Sequence, residues 1–327
     1  MFTETEEKIY AEPWKEFCKE IAQVPRLHGP TSNLISSWDS LVVVLTSTLT
    51  FPSSDTSVTT TDVSPSPNYK LRIYRPLSAT GKEKLALYIH GGGWVLGSID
   101  QEDAIARNIA KSNNLVVISV GYRLAPAHKW PAAHEDCAEA AKYALSHASE
   151  LGADPEAGIL IVGSSAGGGM AFSTALRLID DGLGAKVNGV VSMAPVTVHP
   201  DAIPEELRER YTSYEEHAEH TVNTKDAMMA FFAAYATSAT DPYFSPLLHP
   251  KLKALPRTYI TESGTDTLRD DARLMKEKLE AEGVQVRYDA YEGYPHYSWT
   301  FPSQHLAAHI NEFFGNMAEG VKWCLAG

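Results

Sequence analysis

One segment of the chain joins an apolar run to a serine that lies between small residues. Residues 161 to 169 read Ile-Val-Gly-Ser-Ser-Ala-Gly-Gly-Gly. A sharp turn from a strand into a helix can raise a serine hydroxyl above the edge of a sheet, but only if the residues near the serine are small. Gly163 and Gly167 meet this condition around Ser165. Each glycine in the first helical turn costs about 0.8–1 kcal/mol relative to alanine, and close approach of helix to strand would explain such a run. The sequence therefore predicts a nucleophile elbow at Ser165, with a glycine-rich helix cap without chemistry as the alternative.

A serine hydroxyl is a weak nucleophile and needs a base that is itself oriented by a carboxylate. In enzymes with this kind of elbow the chain order is serine, acid, histidine. Among the histidines after Ser165, His296 directly follows a predicted strand, in a loop that can lie over the same sheet edge. Asp266 follows another predicted strand through a short turn. We predict His296 as the base and Asp266 as its orienting acid, with Glu262 and Asp270 as alternatives for the acid.

Acyl transfer also needs hydrogen-bond donors for the negative oxygen that develops on the carbonyl group. The motif from His90 to Trp94, with three glycines between, follows an apolar run and offers backbone N–H groups that no side chain blocks. We predict the N–H groups of Gly92, Gly93 and Ala166 as the oxyanion hole, and a structural role for His90. A triple glycine also suits a plain loop or a phosphate cradle, but the Lys-Ser/Thr pair of a P-loop does not follow it.

The remaining histidines and the cysteines have less specific interpretations. His305 and His309 are four apart on a predicted helix, a spacing that suits zinc, but no third ligand or Glu-x-x-His pattern accompanies them. We interpret both as helix-surface histidines, and Cys137 as a buried, inert thiol in an alanine-rich helix. The 3 cysteines are odd in number and widely spaced, which argues against a disulfide framework and a Cys-x-x-Cys metal site. We expect neither a metal nor a cofactor.

Charge and composition argue against several classes of function. Lys and Arg total 28 against 41 Asp and Glu, for a net charge of -13, which repels nucleic-acid phosphates and anionic lipid headgroups. The first residues lack the pattern of a signal peptide, and the strongest apolar run, residues 41–45, is far too short to span a bilayer. We expect a globular, cytoplasmic protein without nucleic-acid partners or membrane insertion.

The elements that would position these residues alternate between strands and helices. Continuous apolar runs predict strands buried on both faces, and the alternation with helices predicts the α/β class with a parallel sheet. The polar segment 51–68 marks a change in composition, and the helical insertion at 197–240 is a candidate lid. The predicted strands are 70–75, 85–89, 115–120, 159–162, 187–193, 257–261 and 285–291, and the predicted helices between them are 100–111, 132–149 and 165–180.

With these motifs in order, the chain resembles the hormone-sensitive-lipase-like (GDXG lipolytic) carboxylesterases, which have the α/β-hydrolase fold. The resemblance rests on the loop 90–94, the elbow 163–168 and the segments Tyr122-Arg-Leu-Ala-Pro, Ser245-Pro-Leu and Asp266-Thr-Leu-Arg-Asp-Asp. It implies a mostly parallel eight-stranded sheet flanked by helices, a Ser165, Asp266, His296 triad and a helical cap. The implied domains are a cap at 1–50 and 197–240 and a catalytic core at 51–196 and 241–327. The resemblance permits a monomer or a homodimer.

The chain departs from the pattern of that family near the predicted site. Ser164 replaces the usual Asp of the elbow, Thr267 the usual Pro, Ala127 the usual Glu, and Tyr297-Ser298 the usual Gly-Phe after the histidine. None of these changes removes a catalytic atom. They therefore bear on substrate range and rate rather than on reaction type.

The resemblance and the motifs together predict hydrolysis of a small-molecule ester, with a short- to medium-chain or aromatic acyl group, through an acyl-enzyme. The helix that carries Met228 and Phe232 is apolar nearly all round, so it either packs within the cap or lines a substrate pocket. We predict a pocket formed by Trp94, Met228, Phe232 and Tyr297. The alternatives are lactonase, thioesterase, acyltransferase or lyase chemistry with the same triad, and a non-catalytic small-molecule receptor, which the presence of His296 disfavours.

Overall fold

A single sheet forms the centre of the computed structural model, which describes residues 2–327. Its strands within that range are β1 (Val58–Val63), β2 (Lys70–Pro76), β3 (Leu85–Ile89), β4 (Val116–Gly121), β5 (Ile159–Ser164), β6 (Val187–Met193), β7 (Thr258–Ser263) and β8 (Val286–Tyr291). They lie in the order β1-β2-β4-β3-β5-β6-β7-β8, and only the pairs β1–β2 and β2–β4 are antiparallel. The predicted mostly parallel, eight-stranded α/β architecture is confirmed.

Helices cover both faces of this sheet. The helices within the described range are α1 (Glu4–Ile9), α2 (Glu12–Glu20), α3 (Thr31–Thr48), α4 (Asp103–Asn113), α5 (Ala132–Ser146), α6 (Ala166–Asp180), α7 (Ser213–Glu216), α8 (Lys225–Tyr235), α9 (Arg269–Ala281) and α10 (Ala307–Leu325). Of these, α4, α5, α6, α9 and α10 pack against the strands. Because side chains alternate along a strand, Leu87 of β3 packs toward α5, α6 and α9, whereas Tyr88 packs toward α4 and α10. Among the described residues, none of these helices combines the length and apolar character needed to cross a membrane.

Strand β1 was not among the strands predicted from sequence. It lies within the polar segment 51–68 and pairs with β2 at the edge of the sheet. Residues 59–62 are exposed, and only Val58 is fully buried. An edge strand with one solvated face carries few apolar residues, so hydrophobic periodicity gives little sign of it.

The N-terminal helices and the helical insertion pack against each other, and we call this layer, residues 4–48 and 213–235, the cap. Leu27 forms a parallel bridge with Asn223, and the Leu27 carbonyl oxygen accepts a hydrogen bond from the Thr224 hydroxyl. The Arg26 guanidinium also donates to the Glu219 carbonyl oxygen at 2.8 Å. Two segments that are far apart in sequence thus form one layer through a backbone bridge and side-chain-to-backbone hydrogen bonds.

The turn from β5 into α6 requires glycine on steric grounds. Ser165, at the start of α6, has φ 56 and ψ -122, a conformation that is strained for a residue with a side chain. A methyl group on Gly163 would overlap the carbonyl oxygen of Gly167, and one on Gly167 would overlap that of Ile89 and lie 2.5 Å from that of His90. The close helix–strand approach predicted from the glycine run is therefore present.

Replacing Gly167 by alanine should destabilise the fold, because the added methyl group would meet two backbone carbonyl oxygens that no rotamer change can move. We expect Gly167→Ala to lower the free energy of unfolding by about 2 kcal/mol or more. Gly315, in α10, serves as the matched control, because apart from the adjacent backbone of its own helix nothing lies within 4 Å of the point that an added methyl group would occupy. Gly315→Ala should leave stability unchanged or raise it by about 0.5–1 kcal/mol. Urea denaturation measures both variants, and equal effects would contradict this account.

The prediction that His309 lies on a helix surface is wrong. Helix α10 begins at Ala307, so His305 lies in a preceding 3-10 turn and the two histidines do not share one helical face. The His309 ring is buried, stacks on Tyr294 with centroids 3.7 Å apart, and contacts the Ser298 hydroxyl at 2.9 Å. Apolar neighbours of α10 place this face against the sheet.

Two buried histidines should make the fold sensitive to acid. Burial lowers the pKa of His309 to about 4 and that of His134 to about 3, so the folded state keeps both neutral. As pH falls below about 6.5, the unfolded chain binds protons that the folded chain does not, and stability is lost. Between pH 8 and pH 5 we expect a loss of roughly 2 kcal/mol for each histidine.

His309→Gln should therefore lose less stability than the parent over the same pH interval. The comparison is made on the melting temperature followed by circular dichroism at pH 8 and pH 5. An identical drop in the two proteins would show that His309 does not contribute.

Candidate active site

Three loops at the carboxyl edge of the sheet bring Ser165, His296 and Asp266 together. His296 Nε2 lies 2.9 Å from Ser165 Oγ, and His296 Nδ1 lies 2.5 Å from Asp266 Oδ2. All three side chains are buried. The arrangement has the order of contacts that general-base activation of a serine requires, with the carboxylate on the far side of the imidazole.

Asp266 is held so that one oxygen faces the histidine. Its Oδ1 accepts a hydrogen bond from the Leu268 N–H at 3.0 Å, which leaves Oδ2 directed at His296. The alternative acids are engaged elsewhere: the Glu262 carboxylate pairs with Arg273, and the Asp270 carboxylate pairs with Arg269. Asp266 is therefore the carboxylate that can orient His296. The backbone N–H of His296 in turn donates to the Thr221 hydroxyl in the insertion, at 3.3 Å.

The glycine loop after β3 lies beside this group with free backbone donors. Among the described residues, the N–H groups of Gly92, Gly93 and Ala166 have no hydrogen-bond acceptor. The N–H groups of Val95 and Leu96 close a turn onto the Gly92 carbonyl oxygen, at 3.1 and 2.8 Å. Three unpaired donors at two loops next to a serine suit the binding of an oxyanion.

His90 supports this loop rather than facing the serine. Its ring stacks on Tyr122 with centroids 4.2 Å apart, and its Nδ1 contacts the Gly91 carbonyl oxygen at 2.8 Å. The Tyr122 hydroxyl donates to the His90 carbonyl oxygen at 2.9 Å. Burial lowers the pKa of His90, so the ring stays neutral within the core.

A cavity of about 320 Å³ opens at Ser165 and His296. Helix α3 forms one wall through side chains at positions i, i+4 and i+7, which are Trp38, Val42 and Leu45. The remaining apolar lining includes Leu27, Phe51, Leu96, Val196, Val222, Met228, Phe231 and Phe301, and the polar lining includes Asp100, Gln101 and Glu102. Among the described residues, no group of three or more metal-ligating side chains is found at this or any other place.

Two of the four predicted pocket residues do not line this cavity. Met228 and Tyr297 do, but Trp94 and Phe232 belong to an aromatic cluster behind it, where Trp94 stacks on Tyr235 with centroids 5.3 Å apart. Successive residues of a helix point about 100° apart, so the cavity is lined by Phe231 rather than Phe232. Which of two adjacent phenylalanines faces the cavity depends on how α8 is rotated, and its nearly uniform apolar surface does not reveal this.

Sequence reasoning also missed the contributions of α3 and of Glu102. The i, i+4, i+7 spacing of Trp38, Val42 and Leu45 was a usable signal for a helix face, but nothing in it indicated a cavity. Glu102 is one of three acids, with Asp100 and Asp103, around the start of α4, and only the fold places it beside the loop of Gly91.

Comparisons with known proteins agree with this geometry. A family model described as alpha/beta hydrolase fold matches residues 86–300. The versiconal hemiacetal acetate esterase of Aspergillus parasiticus is 46% identical over 318 residues, which cover 97% of this chain and 99% of that protein. The corresponding esterase of Emericella nidulans is 46% identical over 291 residues, covering 88% of this chain and 99% of that one.

A solved structure has the same overall fold. The crystal structure of vibralactone cyclase aligns with a TM-score of 0.85 at 27% identity and covers 100% of this chain and 98% of that one. The matched family model, the two esterases and the sheet topology agree with one another. The chain therefore belongs to the α/β-hydrolase fold family and is a carboxylesterase-type hydrolase.

Proposed function

We propose that the chain hydrolyses carboxylic esters with Ser165 as nucleophile, His296 as general base and acid, and Asp266 as the orienting carboxylate. The observation that carries this proposal is the continuous hydrogen-bonded series from Asp266 Oδ2 through His296 to Ser165 Oγ, which ends in a cavity large enough for a substrate. The free N–H groups of Gly92, Gly93 and Ala166 support it, because they can receive the oxyanion.

In the proposed mechanism, Ser165 Oγ attacks the ester carbonyl carbon while His296 Nε2 accepts the hydroxyl proton. The carbonyl oxygen becomes negative and is stabilised by the free backbone N–H groups. His296 then returns the proton to the leaving alcohol, and the acyl group stays on Ser165. A water molecule, activated by the same imidazole, cleaves the acyl-enzyme and releases the carboxylic acid. Asp266 stabilises the imidazolium that forms in each half of the cycle.

Ser165→Ala should abolish turnover of p-nitrophenyl acetate, with kcat reduced at least about 10⁴-fold because the attacking atom is gone. Asp266→Asn should reduce kcat roughly 10⁴-fold, because the amide cannot hold the imidazole in the required tautomer. Circular dichroism and labelling by a fluorophosphonate probe accompany the assay. Retained turnover or labelling in a folded Ser165→Ala protein would refute the assignment of the nucleophile.

For the substrate we propose a neutral acetate ester of a bulky, largely apolar or aromatic alcohol. The similar proteins named versiconal hemiacetal acetate esterase support the acetate. An acetyl group occupies little of a 320 Å³ cavity, so the space under α3 suits a larger alcohol. Glu102 contributes a carboxylate to the lining, the Asp100 carboxylate is paired with Arg72, and the lining residues described include no lysine or arginine. An anionic ester would therefore be repelled.

Filling the cavity under α3 should discriminate between esters that share an acyl group. Val42 lines the cavity, whereas its neighbour Val43 is 64% exposed, so the pair gives a matched comparison. Val42→Trp should lower kcat/KM for 1-naphthyl acetate about tenfold or more and change that for ethyl acetate less than about threefold. Val43→Trp should change kcat/KM for either ester by no more than about twofold. Equal losses on both esters in Val42→Trp would argue against placing the alcohol there.

A second candidate is acyl transfer to a hydroxyl of the substrate itself, which yields a lactone. The observation that favours it is the similarity over the whole chain to vibralactone cyclase, together with the apolar lining, which limits the access of water. In that case the substrate hydroxyl replaces water as the attacking group on the acyl-enzyme. Mass spectrometry of the products from a hydroxy ester distinguishes the hydroxy acid of hydrolysis from the lactone.

A non-catalytic receptor is the third alternative, and labelling of Ser165 by the fluorophosphonate probe would exclude it.

A further inference from the structure

Glu102 is a buried carboxylate that the mechanism above does not use. It lies just before α4, is 7% exposed, and reaches the cavity that contains Ser165. Its Oε1 accepts hydrogen bonds from the Gly91 N–H at 3.0 Å and from the Tyr297 hydroxyl at 2.7 Å. Its Oε2 accepts hydrogen bonds from the Ser164 hydroxyl at 2.8 Å and from the Tyr88 hydroxyl. One carboxylate thus accepts four donors.

Three of these donors are chain neighbours of catalytic groups. Gly91 precedes the free N–H groups of the glycine loop, Ser164 precedes the nucleophile, and Tyr297 follows the base. The three segments are distant in sequence, and Glu102 contacts all of them at once. A displacement of this carboxylate would therefore alter the spacing of nucleophile, base and oxyanion donors together.

Tyr297 needs such an anchor because its backbone is strained. Its φ is 62, in the left-handed region that disfavours residues with a side chain. Its hydroxyl is held by Glu102 and also lies 2.8 Å from the Ser164 hydroxyl. The hydroxyl lies so close to Gly91 that a methyl group there would overlap it. The geometry of the loop that carries His296 is thus fixed through a side chain that ends at the glycine loop.

The protonation state of the two tyrosines suits this arrangement. Burial raises the pKa of both Tyr297 and Tyr88, and the negative charge of Glu102 raises each pKa further. Both hydroxyls therefore remain protonated and donate to the carboxylate. A negative charge beside the glycine loop would oppose, not stabilise, a developing oxyanion, so Glu102 is suited to hold its neighbours rather than to act on the substrate.

We propose that Glu102 is a positioning residue that fixes the glycine loop, the elbow and the His296 loop relative to one another through Gly91, Ser164 and Tyr297. The proposal rests on the function proposed above. It assigns the two departures Ser164 and Tyr297 to a single hydrogen-bonded unit. A glutamine at this position would accept hydrogen bonds at one end only, so Glu102→Gln breaks the unit with almost no change in volume.

Glu102→Gln should lower kcat for p-nitrophenyl acetate about 10- to 100-fold and change KM less than about threefold, because distances between catalytic groups change while the cavity volume does not. Glu83 provides the control. It is likewise buried and accepts the N–H groups of Thr80 and Gly81, each at 2.8 Å, but it precedes β3 and so lies at the opposite edge of the sheet. Glu83→Gln should lose comparable stability and keep kcat within about twofold.

A double-mutant cycle separates positioning from general destabilisation. If Glu102 acts through Tyr297, the losses in kcat of Glu102→Gln and Tyr297→Phe should be far from multiplicative in the double variant. The low-field proton resonance of the His296–Asp266 hydrogen bond should also shift or broaden in Glu102→Gln and remain unchanged in Glu83→Gln. If Glu102→Gln does not fold, Tyr297→Phe tests the same hydrogen-bonded unit, and we expect its kcat to fall about tenfold.

Three results would overturn the proposal: kcat within twofold of the parent in folded Glu102→Gln or Tyr297→Phe, fully multiplicative losses in the cycle, or an equal loss in Glu83→Gln. Ser165→Ala is run in parallel. Full activity in Ser165→Ala would refute the proposed function, whereas an inactive Ser165→Ala beside a fully active Glu102→Gln would refute only the role of Glu102.

Discussion

The site depends on a place where two stretches of main chain meet without a side chain between them. Gly167, in the first turn of α6, approaches the carbonyl oxygens of Ile89 and His90 at the end of β3. This approach places the elbow directly beside the glycine loop, so the serine and the free N–H groups lie at one point of the sheet edge. Ser165 follows β5, which lies between β3 and β6, and all three strands are almost entirely buried. This close packing holds Ser165 in its strained conformation.

The residues proposed to carry the chemistry are easier to place from sequence than the residues that line the cavity. The conformations around Ser165 and Gly92 require small residues nearby, and a few adjacent positions in the sequence show them. His296 and Asp266 each follow a strand that hydrophobic periodicity identifies. The orientation of α8 has no such local cause, and for this reason the sequence predicts Phe232 where Phe231 lines the cavity. Strand β1 and the buried ring of His309 were missed on similar grounds, because each is decided by what packs against it.

Ser164 and Tyr297, two of the departures from the carboxylesterase pattern that the sequence resembles, are separate in sequence but form one unit in space. The hydroxyls of Ser164 and Tyr297 both donate to Glu102 and lie 2.8 Å from each other. A carboxylate in the elbow beside that of Glu102 would place two like charges in contact within a buried site, and the serine at position 164 avoids this. Sequence comparison position by position treats these residues as independent changes, whereas their shared contacts indicate that they depend on one another.

One wall of the cavity is formed by α3, which precedes the whole sheet in the chain. Helix α3 packs against α8, and the segment just before α3 joins the insertion through contacts of the Leu27 backbone with Asn223 and with the Thr224 hydroxyl. One wall of the proposed substrate cavity and the proposed catalytic groups are therefore encoded in different portions of the polypeptide. Exchanging the first fifty or so residues between relatives offers a route to altered ligand preference that leaves the reacting atoms in place.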